Sequence, residues 1–151
     1  MYQPLRISQS QFIDIRQHRY HVRVWGRPDS PLPPLVLLHG WMDVAASYQF
    51  MVDALSPAFF ADRLIVAPDW RGFGLSRGPA CDHYAFADYL GDLDALLEHF
   101  APARAVDLVG HSMGGNVAMM YAGVRPARVR HLVNLEGLGV PDPGPSQAPQ
   151  R

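Results

Sequence analysis

The chain has 151 residues, 48% of them hydrophobic and 18% charged, with a formal net charge of -1. That composition suits a single domain with a substantial core, far from disorder. No block of like charge runs through it, which argues against nucleic acid or an anionic membrane surface as a partner. Cys81 is the only cysteine, so an internal disulfide and a cysteine-based metal site are both excluded. Residues 1–11 lack the apolar stretch of a signal peptide and no run approaches the length of a membrane span, so a soluble cytoplasmic protein is the expectation.

Residues Phe12 to Trp25 alternate apolar and polar around Gln17-His18-Arg19, the pattern of a short hairpin. A proline-rich connector from Pro28 to Pro34 leads into Leu35-Val36-Leu37-Leu38, a strand apolar on both faces, as parallel strands covered by helices are. A short helix is expected over Ser47 to Leu55 and another buried strand at Leu64-Ile65-Val66-Ala67. Between Tyr84 and Phe100 the apolar residues Phe86, Tyr89, Leu90, Leu93, Leu96, Leu97 and Phe100 recur at helical spacing, giving one stripe to lie on a sheet. Ala105 to Val109 reads as a strand, Met113 to about Val124 as a helix stopped by Pro126, and Leu132-Val133-Asn134-Leu135 as a last strand. The proline-rich stretch 141–151 reads as a linker. No internal repeat is present. Strands alternating with helices define an α/β fold with a mainly parallel, doubly wound sheet.

Gly110-His111-Ser112-Met113-Gly114 is a G-x-S-x-G between the Ala105 strand and a helix. That order describes a sharp strand-to-helix turn that holds a serine hydroxyl proud of the sheet, and its chemistry is nucleophilic attack on an acyl carbon. Acyl transfer builds an oxyanion, which needs preorganised N–H donors. In this architecture one is the N–H of the residue after the nucleophile, Met113. The other comes from the loop after an upstream strand, where His39-Gly40-Trp41 makes Trp41 the candidate. The His39 imidazole reads as structural, and His111 as a packing residue.

Asp69-Trp70-Arg71-Gly72-Phe73-Gly74-Leu75-Ser76 follows the Leu64 strand. Its glycines imitate a dinucleotide loop, but that fingerprint must open a helix, and here Pro79 and a non-helical stretch intervene. The expectation is a structural turn in which Asp69 and Arg71 satisfy local backbone groups.

Taken together and in this order, the H-G-W loop, the D-x-R-G-x-G-x-S turn and the G-H-S-M-G-G elbow resemble the α/β-hydrolase family, in its serine-hydrolase, esterase-like branch. The resemblance spans roughly residues 12 to 140. It implies a carboxylic ester or similar carbonyl substrate, an acyl-enzyme on Ser112, and no metal or cofactor. A small ester-like molecule is then the partner, and oligomeric state stays open. Serine at the elbow departs from the haloalkane dehalogenases and epoxide hydrolases, which carry aspartate there.

The family order is nucleophile, then acid, then histidine. After Ser112 the only histidine is His131, which opens the last strand, about 17 Å from the active end at roughly 3.3 Å per residue. Glu136 leaves that strand at the correct end, and some family members place the triad acid there. It is either an acid or pocket residue, or a hydrogen-bonded strand-end carboxylate. Without a general base serine is a poor nucleophile.

The resemblance therefore implies residues 1–140 as the N-terminal portion of an α/β-hydrolase domain, lacking the C-terminal strands and cap, with 141–151 as a linker toward the cap. Two other readings stay open: a non-catalytic binding module reusing the fold, and a split enzyme whose base comes from another chain. The Leu132 strand then forms an open apolar edge of the kind that promotes association. The isolated 151-residue chain is expected to aggregate or to be molten. A monomer on size exclusion with a cooperative thermal transition would contradict this.

Overall fold

The computed structural model describes residues 2–81 and 83–138. Gln9–Ile15 (β1) and His18–Gly26 (β2) form the expected hairpin, with Ile15 paired to His18 across the turn. Leu35–Leu38 (β3) leads to a 3₁₀ turn at Ala45–Tyr48, the helices Gln49–Ala54 (α1) and Pro57–Ala61 (α2), and the strand Leu64–Pro68 (β4). Phe86–Phe100 (α3), Val106–His111 (β5), Met113–Val124 (α4) and Val129–Leu135 (β6) complete the order.

Three details differ from the sequence expectations. The Ser47 to Leu55 helix is split into the 3₁₀ turn and α1. A further helix, α2, starts where Ser56 accepts a hydrogen bond from the Phe59 N–H and Pro57 occupies the first turn, a position that suits a residue without an N–H. Strand β6 begins earlier, at Val129, so it contains Arg130 and is not free of charge. The 141–151 linker lies outside the described residues.

The six strands lie in the order β1-β2-β4-β3-β5-β6. Strands β4, β3, β5 and β6 are parallel, and the hairpin joins them antiparallel through β2. Alternation along each strand splits the core into two layers. Val36, Leu38, Val66 and Leu108 face Leu93, Leu96 and Leu97 of α3 and Val117, Ala118 and Tyr121 of α4. Leu35, Leu37, Ile65, Ala67 and Val109 face Ala45, Tyr48 and Val52 on the other side. Helices therefore cover both faces, the doubly wound arrangement expected. In such sheets the groups that do chemistry gather where the parallel strands end. Here that rim holds the exits of β3, β4, β5 and β6.

Arg71 follows β4, and its role differs from the expected one. Its guanidinium does not serve local backbone groups but forks onto Asp92 of α3, with Nε 2.6 Å and Nη2 2.7 Å from the two carboxylate oxygens. The Asp92 side chain is fully buried, and the Tyr20 hydroxyl also donates to it. Burial and the neighbouring carboxylate both push the Tyr20 phenol well above its ordinary pKa. The trio ties the loop after β4 to α3 and the hairpin. Removing one partner of a buried pair strands the other charge and costs about 3–5 kcal/mol. Arg71→Met is expected to destabilise by that amount in urea unfolding, while Arg71→Met with Asp92→Leu recovers a substantial part. A loss under 1 kcal/mol, about the level of an exposed ion pair, would show that the pair carries no structural weight.

Candidate active site

Ser112 sits between β5 and α4 with φ 50° and ψ -118°, backbone values an L-residue rarely adopts. Strain of this kind, about 1–3 kcal/mol, persists only where the surroundings fix it. The Ser112 N–H donates to the Leu135 carbonyl at 2.8 Å, and the Ser112 carbonyl accepts from the Asn116 N–H at 3.0 Å. Serine at a helix start ordinarily caps the helix with its hydroxyl. The Ser112 side chain makes no capping bond, so its hydroxyl is left for other chemistry.

Space around the turn is closed off by backbone. A Cβ on Gly114 would meet the Leu38 carbonyl oxygen at 2.1 Å, so only glycine lets α4 approach the end of β3. A Cβ on Gly40 would lie 3.1 Å from Ser112 Cβ and 3.0 Å from His111 Nδ1. The His39-Gly40-Trp41 loop therefore passes directly against the elbow. The N–H of Met113 lies in the first turn of α4, where helical N–H groups have no intrahelical partner. Among the described residues the Trp41 N–H donates to no acceptor. The Trp41 side chain is largely exposed and stands edge-on to Phe73, ring centroids 5.4 Å apart.

His39 is fully buried and both ring nitrogens are engaged. Nε2 accepts from the Trp70 N–H at 2.9 Å, which leaves Nδ1 to donate to the Gly40 carbonyl at 2.8 Å. The Trp70 indole N–H returns a bond to the His39 carbonyl at 3.0 Å. The imidazole is thus a fixed, neutral strut, the structural role expected from the sequence. His131 lies at the far end of the sheet, where Nδ1 is 3.1 Å from Asp107 Oδ1. That carboxylate also takes Arg63 and Arg130, and burial raises its pKa less than these partners lower it. His111 is half-buried beside the elbow. Among the described residues no histidine is hydrogen-bonded to the Ser112 hydroxyl.

Glu136 follows β6, whose Leu135 pairs with His111 at the end of β5, so the sequence placed it at the correct rim. It has φ 60° and an exposed side chain. The Asn134 side chain closes this turn, accepting from the Gly137 N–H at 2.8 Å and donating to the Gly137 carbonyl at 2.8 Å. Among the described residues the Glu136 carboxylate takes no hydrogen bond, so it is not the hydrogen-bonded strand-end group that was one alternative. Asn134 went unnoticed in the sequence, because an asparagine inside an apolar strand carries no signal of a turn two residues later.

The Asp69 turn is a structural device and not a nucleotide loop. Asp69 Oδ1 accepts from the Ala45 N–H at 2.7 Å, and Oδ2 accepts from the Leu75 N–H and the His21 ring, each at 2.8 Å. Gly74, at φ 53°, packs so closely that a Cβ would lie 2.1 Å from Asp69 Oδ2. The space a phosphate would need is filled by this carboxylate.

A family model for the alpha/beta hydrolase fold matches residues 33–150, and the chain belongs to this family. It is 37% identical over 119 residues to a serine hydrolase-like protein of Danio rerio, an alignment covering 78% of this chain and 34% of that one. It is 32% identical over 134 residues to an AB hydrolase superfamily protein of Bacillus subtilis, covering 88% and 44%. Among solved structures, the thioesterase domain from the curacin biosynthetic pathway superposes with a TM-score of 0.72 at 25% identity, covering 85% of this chain and 44% of that one. The chain thus spans less than half the length of these relatives. Among the described residues no helix is long and apolar enough to cross a membrane.

Burial holds the His39 pKa below its ordinary value. A histidine neutral in the fold but free to charge when unfolded contributes stability above about pH 6.5, and that stability is lost as pH falls below it. Nitrogen-detected NMR should find His39 in the Nδ1–H form with no titration through about pH 6.5, its ordinary value. His39→Asn, less stable throughout, should lose less on acidification than the parent. A His39 ring that titrates at the ordinary value would refute the strut.

Proposed function

We propose that Ser112 is the nucleophile of a hydrolase acting on a carboxylic ester or similar carbonyl substrate. The observation that carries this reading is the Ser112 backbone, held at φ 50° between β5 and α4 with its hydroxyl uncapped. Oγ attacks the carbonyl carbon, the carbonyl oxygen becomes an oxyanion, and the N–H groups of Trp41 and Met113 receive it. The alcohol leaves with a proton, and water then releases the acid from the acyl-enzyme. The positive end of α4 points at the same place and favours the developing negative charge. The relative named serine hydrolase-like and the thioesterase neighbour support a serine-based acyl transfer.

The general base comes from outside the described residues, since His39 is consumed by its two bonds and His131 sits at the opposite end of the sheet. Glu136, exposed at the rim one residue after the carbonyl that holds the Ser112 N–H, is the candidate acid to orient that base. The lack of a histidine bonded to Ser112 favours a second reading, a binding module that reuses the fold without turnover. A fluorophosphonate probe separates the two, because only an activated serine is labelled once a base is in place.

The kinetic test is p-nitrophenyl ester hydrolysis by a polypeptide in which this chain is joined to the C-terminal part of a relative that carries the histidine. Ser112→Ala should lower kcat there by about 10³-fold or more, and near-parental turnover would overturn the assignment. In the same protein Trp41→Phe keeps the N–H and should alter KM more than kcat. Trp41→Pro removes the donor and should lower kcat by about 10²–10³-fold. Equal kcat for the two folded variants would remove Trp41 from the oxyanion site.

A further inference from the structure

A second Ser-His-Asp chain lies at the other side of the sheet. Ser10 Oγ is 2.9 Å from His21 Nε2, and His21 Nδ1 is 2.8 Å from Asp69 Oδ2. His21 and Asp69 are almost wholly buried, 1% and 2% exposed, whereas Ser10 is exposed. Three strands, β2, β4 and β3, separate β1 from β5, so this chain is distinct from Ser112.

The hydrogen bonds fix the tautomer. The Asp69 carboxylate accepts from two backbone N–H groups as well as from the ring, so His21 Nδ1 carries the proton and donates. Nε2 is left with its lone pair toward the Ser10 hydroxyl. This is the arrangement by which a buried carboxylate orients a histidine as general base toward a serine. The geometry meets the requirement for proton abstraction, a base within about 2.6–3.2 Å of the hydroxyl. Arg23 stands across the ladder from Ser10 on the same face, with Nη1 2.9 Å from Ser8 Oγ, and supplies positive charge beside the serine.

We infer that Ser10 is a second activated serine, able to accept an acyl group from an activated ester. Ser10 Oγ bonds to the carbonyl carbon while its proton passes to His21 Nε2. The carbon–oxygen bond to the leaving group then breaks, the alcohol departs with that proton, and O-acyl-Ser10 remains.

The test is acetylation by p-nitrophenyl acetate in the Ser112→Ala form of the joined polypeptide used for the kinetic test, which removes the proposed nucleophile of the other site. All 13 Lys and Arg positions of this chain are arginine, so no lysine within it competes for the acyl group. Peptide mass mapping should place acetyl on Ser10 about 10²-fold or more faster than on Ser8 or Ser47, the lower end of what general-base assistance supplies. His21→Gln should abolish the advantage. Ser10 labelling no faster than Ser8, or an advantage that survives in folded His21→Gln, overturns the inference. If circular dichroism shows that His21→Gln does not fold, the parent of that variant decides: Ser10 labelling less than about 10²-fold faster than Ser8 overturns the inference.

Discussion

The structure depends on one close approach of backbones, where the start of α4 crosses the end of β3. With the Leu38 carbonyl oxygen only 2.1 Å from where a Gly114 Cβ would be, no other residue brings helix and strand to this distance. The contact sets the height of α4 over the sheet and so the position of Ser112 and the Met113 N–H. It also sets where the chain leaving β3 passes, because Gly40 then packs against Ser112 itself. Ser112 and Trp41, the proposed nucleophile and one proposed oxyanion donor, are far apart in sequence, and their mutual placement rests on two glycines that leave no room for a Cβ.

A second constraint holds the rim from the side. The turn after β4 is fastened in two directions by neighbouring residues that use different chemistry. Asp69 spends its lone pairs on the Ala45 and Leu75 N–H groups and on His21, binding the loop after β3 to the hairpin. Arg71 reaches the other way, to Asp92 on α3. A buried ion pair adds little net stability over an apolar isostere, and its value lies in the geometry it enforces. Here that geometry is the angle between α3 and the sheet. Trp70 between them carries the same restraint inward through its two bonds with His39.

The motifs that could be read from the sequence are those in which one residue type answers one local need. Glycine at positions 110 and 114 and serine between them described the elbow because a strained turn admits few alternatives. The parallel strands were legible as unbroken apolar runs, since both faces are covered. What escaped was whatever depends on partners distant in sequence. Arg71 looked like a local turn residue because its partner lies 21 positions on, inside an amphipathic helix where Asp92 resembles any solvated charge. His21 gave no sign in a strand of alternating pattern, yet it bridges Ser10 and Asp69. The split of the Ser47 helix escaped for the converse reason: its apolar spacing is too short to distinguish one helix from a 3₁₀ turn followed by another.

The same dependence explains how Ser112, the proposed nucleophile, is held in place without a histidine bonded to it. The elbow needs three things: a β5 end that turns sharply, an α4 start that tolerates close packing, and an acceptor for the Ser112 N–H. The first two are written within residues 110–115. The third is the Leu135 carbonyl on β6, the next strand in the sheet. Since β6 is parallel to β5 and joined to it by α4, the unit β5-α4-β6 closes on itself and fixes the serine without help from a histidine. Under the proposed function an imidazole needs only to be delivered to a hydroxyl that is already in place. Within the described residues the fold has thus fixed the strained backbone of Ser112, and under the proposed function the proton acceptor belongs to a different segment.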